Sequence, residues 1–388
     1  MNRIRKLGYH LFYILLWALR YSQKSAKEPS KPTHIIFCMV DHFEPGTGQV
    51  TVDIERGRIR TVMSEFPKLV KNHKDHFGNL PKRTWFFPPH YHRNNNLRDL
   101  VSLCERGYGE IELHLHHGNA RPDTAHNLER TIRQCIDEYS SFGIFGSENG
   151  RKAYGFIHGD WALDNSRHGR YCGVNNEIEI LRQTGCYADF TFPSKCEADP
   201  IRINSIYYAQ DNPEKPKSHN RGIPVRVLGK APNGLMIIQG PLHPFFYRHK
   251  KLILLKMFGD HIDGRPPVNK KRIDFWVKTG IHVKGREDWI IIKTHTHGAV
   301  YMGASLGKEM DRIYRYLESR YNDGYNYILH YVTARELYNI IKAIESGEMG
   351  NNPEKYRNYK IKPPKYDSSP KICEASEKLK ELVNRSNI

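Results

Sequence analysis

The sequence predicts an α/β domain built on a mainly parallel sheet. Short apolar runs alternate with segments of helical period along most of the chain. Those runs are continuous rather than alternating, as in strands covered on both faces. Their C-terminal ends carry acids and imidazoles, where α/β enzymes place catalytic groups. With 388 residues, 39% of them hydrophobic, the chain can bury a large core, which excludes disorder as its main state.

The elements follow in order. His34–Val40 (HIIFCMV) is the first buried strand. Ile59, Val62, Met63 and Phe66 share a helical stripe that Pro67 is expected to end. Thr84–Phe87 and Gly109–His116 are the second and third strands, followed by a helix over 123–139. Tyr154–His158 is a strand, Asn175 is expected to cap a helix ending at Gly185, and Tyr187–Phe192 is a strand. Residues 203–240 hold short β-like runs and read as an inserted hairpin region. Trp289–Thr294 is a late buried strand, and two helices close the domain, the last opened by a Thr333/Glu336 capping box. The domain spans 34–349, and 350–388 reads as an extended basic tail.

The formal charge is +18, concentrated at the ends: residues 1–31 hold seven basic residues against one acidic. The longest apolar run, Leu11–Leu19, is nine residues, too short for a multi-span membrane protein. Residues 1–21 fit three readings: an interfacial membrane anchor, an export signal, or a helix docked on the domain. Residues 22–33 form a polar linker. A basic end flanking an apolar run favours an anionic membrane surface over nucleic acid, and no nucleic-acid partner is expected. The location expected is the cytoplasmic face of the inner membrane or the cytoplasm, with export as the alternative. Seven scattered cysteines without a CxxC pair make neither a disulfide framework nor a zinc ribbon.

Strand parity carries the chemical argument. In GEIELHLHHG (109–118), Glu110, Glu112, His114 and His116 share one face, and Ile111, Leu113 and Leu115 the other. His117 follows where the loop begins. Three imidazoles in four residues are a candidate metal-ligand set. Asp41, His42 and Glu44 end the first strand. His158 and Asp160 share a face with Phe156, Asp189 pairs with Thr191, and Lys293, His295 and His297 share a face; Trp161 lies beside Asp160. Converging ionisable groups are costly to bury unless a cation relieves them, which points to a divalent metal, zinc by its donor set. Asp41 is the candidate base and His295 the candidate acid. Glu44, His158, Asp160, Trp161, Asp189 and His297 are candidate substrate contacts, with Trp85, Tyr91 and Trp161 available to stack on sugars. No GxxxxGK[ST] loop is present.

From about residue 33 to 350, the stretches VDHFEP (40–45), ELHLHHGN (112–119), FIHGDWALDNS (156–166), GCYADFTFPS (185–194), IIKTHTHGA (291–299) and LHYVTARELYNI (329–340) resemble the polysaccharide deacetylase superfamily. The narrower likeness is to a divergent branch found with surface-polysaccharide genes. The resemblance implies a distorted (β/α)-barrel, a divalent metal, and hydrolysis of an N-acetyl group on an oligo- or polysaccharide. The family ends its first strand with an Asp-Asp pair, base then ligand; here Asp41-His42 stands there, which makes His42 a ligand. The family's second motif has two histidines four apart; His114 matches the first, Gly118 falls at the second, and His116 or His117 must substitute. The late Leu-x-x-His matches Ile292–His295, and FIHGDW replaces the family's Arg-Pro motif. Related readings are a glycoside hydrolase on the same barrel, for which Asp41, Glu44, Asp160 and Asp189 offer carboxylates, and a non-catalytic sugar-binding relative.

Overall fold

The computed structural model describes residues 3–22, 32–91, 95–249, 252–348 and 350–369. In chain order these form α1 (Arg3–Ser22), β1 (Thr33–His42), α2 (Val52–Val70), β2 (Arg83–Phe87), α3 (Asn96–Glu105), β3 (Gly109–Leu115), α4 (Ala125–Ser140), β4 (Gly146–Glu148) and β5 (Arg151–His158). Next come α5 (Glu177–Gln183), β6 (Cys186–Asp189), β7 (Ile206–Ala209), β8 (Ile223–Pro224), β9 (Leu235–Ile238), β10 (His243–His249) and β11 (Leu252–Phe258). The chain closes with α6 (Lys270–Thr279), β12 (Trp289–Thr296), α7 (Met302–Ser305), α8 (Lys308–Arg320), β13 (Tyr327–Val332) and α9 (Ala334–Glu345).

The sheet is mostly parallel, in the order β12-β1-β2-β3-β5-β6-β9-β7-β8. β1 lies inside the sheet, next to β12 at one end of this order, and its side chains are buried on both faces. One edge pairs with β12; the other is shared, Thr33–Cys38 with β13 and Val40–His42 with β2. The barrel that the resemblance implies is not closed among the described residues. The gap between β12 and β8 is crossed only by single bridges, Ile281 to Ile291 and Lys284 to Arg226.

The two faces carry different covers. Ile35, Phe37 and Met39 of β1 pack with Ile111, Leu113 and Leu115 of β3 under the apolar stripes of α2, α3, α4, α5, α6 and α8. Ile36, Cys38 and Val40 pack on the other face with Ile157, Ile291 and α9. Every residue of α9 is buried. Its polar groups are therefore matched: Arg335 binds Glu110, Asn339 binds the carbonyls of Arg357 and Ile361, and Thr333 and Glu336 form the expected capping box.

Several local expectations are corrected. Pro67 does not end α2, which runs to Val70 because Phe66 and Val70 are both held in the core. Asn175 does not cap α5; Asn176 precedes the helix, and the Asn175 side chain instead accepts from Asn165 at 2.7 Å. The runs within 203–240 do pair as antiparallel strands, β7 with β8 and with β9, and β9 also joins them to the main sheet parallel to β6. β13 was not foreseen; its mixed run YILHYV lacks a clean period. Residues 350–369 are packed rather than tail-like, with Ile361 buried and Arg357 on Glu336 at 2.7 Å. Residues 370–388, Cys373 among them, and most of the 22–33 linker lie outside the described residues. The helix α1 docks through Tyr9 and Tyr13, whose hydroxyls donate to the Asp199 carboxylate and carbonyl at 2.6 and 2.7 Å. No helix among the described residues is long and apolar enough to cross a membrane.

Candidate metal centre in a cleft at the strand ends

The C-terminal ends of β1, β3, β5 and β12 open into a cleft of about 360 Å3 lined by His42, Glu44, His114, His116, Asp160, Trp161, His297 and Tyr301, among others. Strand parity places the β3 groups. Glu110, Glu112 and His114 face the α9 side: Glu110 meets Arg335, Glu112 accepts from Tyr187 and the Gly155 amide, and His114, nearest the strand end, reaches the cleft. The matched acids fill the interior, and the imidazole is left for the opening.

Three donors converge there. The Nε2 atoms of His114 and His116 lie 3.2 Å apart, with Glu44 Oε1 at 3.7 Å from the first and 2.7 Å from the second. The opposite nitrogens are committed. His114 Nδ1 lies 2.9 Å from the Ile157 carbonyl, and His116 Nδ1 lies 3.1 Å from Asp160 Oδ2. Both partners only accept, so each Nδ1 carries the proton and each Nε2 presents a lone pair. Two lone pairs and a carboxylate oxygen facing one another require a proton or a cation between them. The same pattern, an imidazole oriented by an outer acceptor, is what metal-binding histidines show. Glu44, His114 and His116 can hold a metal ion.

Neighbouring groups fit that assignment. His42 Nε2 is buried without a hydrogen bond, and its ring centroid lies 5.2 Å from that of His114 and 4.7 Å from that of His297. Burial, then the rings of His297, His114 and His295, push His42 well below the usual imidazole range, so it is a neutral donor. Burial also pushes His297 down, to about 4. For Glu44 burial works upward, yet the imidazoles of His114 and His116 outweigh it and hold the carboxyl well below its ordinary value. Without a cation, burial opposes charge on His116, but Asp160 and Glu44 raise it to about 9. Asp160 and Trp161 both adopt left-handed backbone, φ 52° and 54°, in the short turn after β5. Such strain at non-glycine residues clusters at functional sites.

No family model matches the chain, and no curated protein is significantly similar to it in sequence.

Of the residues expected from sequence, His42, Glu44, His114, His116, Asp160, Trp161 and His297 are brought together. Four others are not. Asp41 faces the opposite side of the sheet from His42, in register with Trp85. There it is fully buried, with Arg83 Nη1 at 3.1 Å and the Gly298 amide at 2.7 Å, so it is no base for this cleft. Asp189 is in register with Phe156 on that same far face, and both Thr191 groups donate to it. His117 and His158 also point to the far face, since His158 is in register with Leu115, and they meet each other there. His295 lies beside His42, ring centroids 5.3 Å apart, with its Nδ1 on Asp260 at 2.7 Å; it backs the cleft wall, and His297 lines it. Trp85 is core, packed between Phe43 and Phe66, and Tyr91 packs against that core. Sequence reasoning missed Arg83 and Asp260. Nothing in their local pattern marks them, because each is defined by a partner more than 30 residues away.

Proposed function

We propose that the chain is a metal-dependent hydrolase that removes N-acetyl groups from a surface-polysaccharide or glycan precursor, on the broken barrel that the family resemblance implies. The observation that carries this reading is the meeting of His114 Nε2, His116 Nε2 and Glu44 in an open cleft beside an aromatic wall. His114, His116 and Glu44 would hold the ion, with His42 at their side. A divalent cation there would supply Lewis-acid activation of the amide carbonyl and of water. The chain's own groups supply the rest. Trp161 and Tyr301 on the cleft wall offer ring faces for a sugar. Asp160 fixes the His116 tautomer and ring plane. His297 lines the cleft 3.7 Å from Glu44 Oε2, placed to take a proton from the attacking water and return it to the leaving amine as the amide C–N bond breaks. The Asp260–His295 pair behind it buttresses the wall.

A glycoside hydrolase is the second reading, because the Glu44 and Asp160 carboxylates both line the cleft, with His116 between them. Acetate release against reducing-end release from N-acetylated oligosaccharides separates the two. The metal-hydrolase reading expects acetate release that a chelator abolishes and that Glu44→Gln and His114→Ala both lack; undiminished chelator-treated enzyme refutes it. For location, α1 exposes Leu7, Leu11, Leu15 and Leu19 on one stripe, and the surrounding segment is basic. That supports attachment to an anionic membrane surface at the cytoplasmic face.

A further inference from the structure

On the far side of the sheet from the cleft, four buried side chains from four parts of the chain meet. They are His117 after β3, His158 at the end of β5, Cys172 in the loop 159–176, and Glu177 at the start of α5. His117 Nε2 lies 2.9 Å from His158 Nε2 and 3.1 Å from Glu177 Oε1. His158 Nε2 is 3.4 Å from that same oxygen, and Cys172 Sγ is 3.3 Å from Glu177 Oε2. The donor atoms all lie within 4.8 Å of one another. Metal–nitrogen bonds of about 2.0 Å in a tetrahedron set neighbouring donors roughly 3.3 Å apart, close to the 2.9, 3.1 and 3.4 Å among the His117, His158 and Glu177 donors.

The outer contacts fix the chemistry. His117 Nδ1 is 3.0 Å from Asp123 Oδ2, and His158 Nδ1 is 2.5 Å from the Gly159 carbonyl. Both acceptors force the ring protons onto Nδ1, so the two Nε2 lone pairs face each other and the Glu177 carboxylate. Asp123 is itself held by the Thr124 amide at 2.8 Å and by Asn127 Nδ2 at 2.7 Å. The backbone amides of Asn165 and Val174 point at Cys172 Sγ from 3.3 and 3.4 Å, an arrangement that suits a thiolate. Oriented imidazoles and a sulfur receiving N–H groups are the outer contacts of a built metal site.

The geometry points to a second, closed metal centre in which His117, His158, Cys172 and Glu177 bind one zinc ion. Four protein donors and complete burial leave no position for substrate, so the ion is structural. Its work is to pin the loop 159–176, which holds six non-glycine residues with left-handed backbone and little regular structure, to the end of β3. That loop begins with Asp160 and Trp161, so the closed centre sets the position of the His116 partner in the cleft. The inference does not depend on what the cleft hydrolyses.

Cobalt(II) as a zinc substitute tests it on the full chain, stripped with chelator and reconstituted with cobalt alone. The wild-type protein is expected to take up two ions and to show the near-ultraviolet charge-transfer band of a single thiolate–cobalt bond. His114→Ala should lose one ion and keep the band; Cys172→Ser, folded by circular dichroism, should lose the band. A folded wild-type protein without the band, or a Cys172→Ser variant that retains it, overturns the assignment in favour of an imidazolium–carboxylate network. If Cys172→Ser does not fold, alkylation of the wild-type chain read by peptide mass decides. Cys172 should be protected by zinc and labelled after chelation, and equal labelling overturns the proposal.

Discussion

The Asp41–Arg83 pair offers the sharpest test of how the strand ends are used. Both side chains are fully buried. The sequence position of Asp41 suggests a catalytic base, whereas its contacts suggest an ion pair that anchors β1 to β2 and to the turn after β12. Asp41→Asn keeps the shape and an acceptor for the Gly298 amide, but leaves the Arg83 charge uncompensated. Arg83 retains the Ser305 carbonyl at 2.7 Å and the Phe66 ring at 4.7 Å, which soften the loss without neutralising it. Breaking a buried pair by removing one partner costs about 3–5 kcal/mol, and the isosteric change belongs at the lower end. Unfolding entropy of roughly 2.1 cal/mol/K per residue gives a chain of this length close to 0.8 kcal/mol/K, so about 3 kcal/mol lowers Tm by about 4 °C. Differential scanning calorimetry at pH 8 measures this. Replacing both partners, Asp41→Leu with Arg83→Met, should recover most of the loss, because two apolar side chains do not need each other's charge. An Asp41→Asn protein with wild-type Tm and no hydrolytic activity would show that Asp41 works in the chemistry, and would refute the reading.

Trp161→Ala should weaken binding of an N-acetylated oligosaccharide by roughly twofold to tenfold, as the loss of one stacked ring does, measured by calorimetric titration; unchanged affinity would remove Trp161 from the sugar site. Burial pushes Glu336 up, but Arg357 and Lys82 outweigh it and hold it down to about 2. Its folded value lies below the unfolded one, so its contribution is present above pH 4.5 and lost as pH falls towards 2. Glu336→Gln should therefore be less stable than wild type at pH 6 and should flatten the acid limb of a Tm-against-pH curve between those values. Leu11→Glu with Leu15→Glu, on the exposed stripe of α1, should release the protein from vesicles rich in anionic lipid while leaving Tm unchanged; equal sedimentation with the vesicles would retire the membrane reading.

Parity along single strands was legible. Residues of β3 do sort as Glu110, Glu112 and His114 against Ile111, Leu113 and Leu115. The phase between strands was not. Nothing local tells that the face of β5 bearing Phe156 and His158 aligns with Leu113 and Leu115 rather than with His114; only the register Leu115 to His158 decides it. For that reason the sequence reads as one site where the structure holds two clusters, on opposite faces. The same phase puts Asp189 on the helix-covered face, whereas Asp41 is parted from His42 by parity within β1 itself, and only the family pattern sets both at one site. Cys172 carried no signal at all. Glu177 lies only five residues on, but both histidines are brought to it by folding, so a cysteine count could not reveal it.

Gly118 accounts for the departure of the proposed ligand set from the family pattern expected from sequence. A second histidine four residues after His114 would fall there. The backbone at Gly118 is left-handed, φ 67°, and a Cβ would meet the Cys172 carbonyl oxygen at 2.0 Å. Backbone fills the place where a ring would stand, so His116 supplies the second imidazole, while His117 turns to the opposite face. The closeness of Gly118 to Cys172 also ties the two clusters together: the chain cannot shift at one without moving the other. Gly118→Ala adds only a methyl group, yet it must displace the Cys172 backbone by more than an ångström and strain φ as well, which together cost about 2–4 kcal/mol. By the entropy used above, Tm should fall by about 3–5 °C. The strain alone would do that much, so the deciding readout is the thiolate–cobalt band. Its weakening in Gly118→Ala, with cobalt affinity reduced at the closed centre, is the expected result; a lowered Tm with an intact band would mean that the 159–176 loop is not held through Cys172.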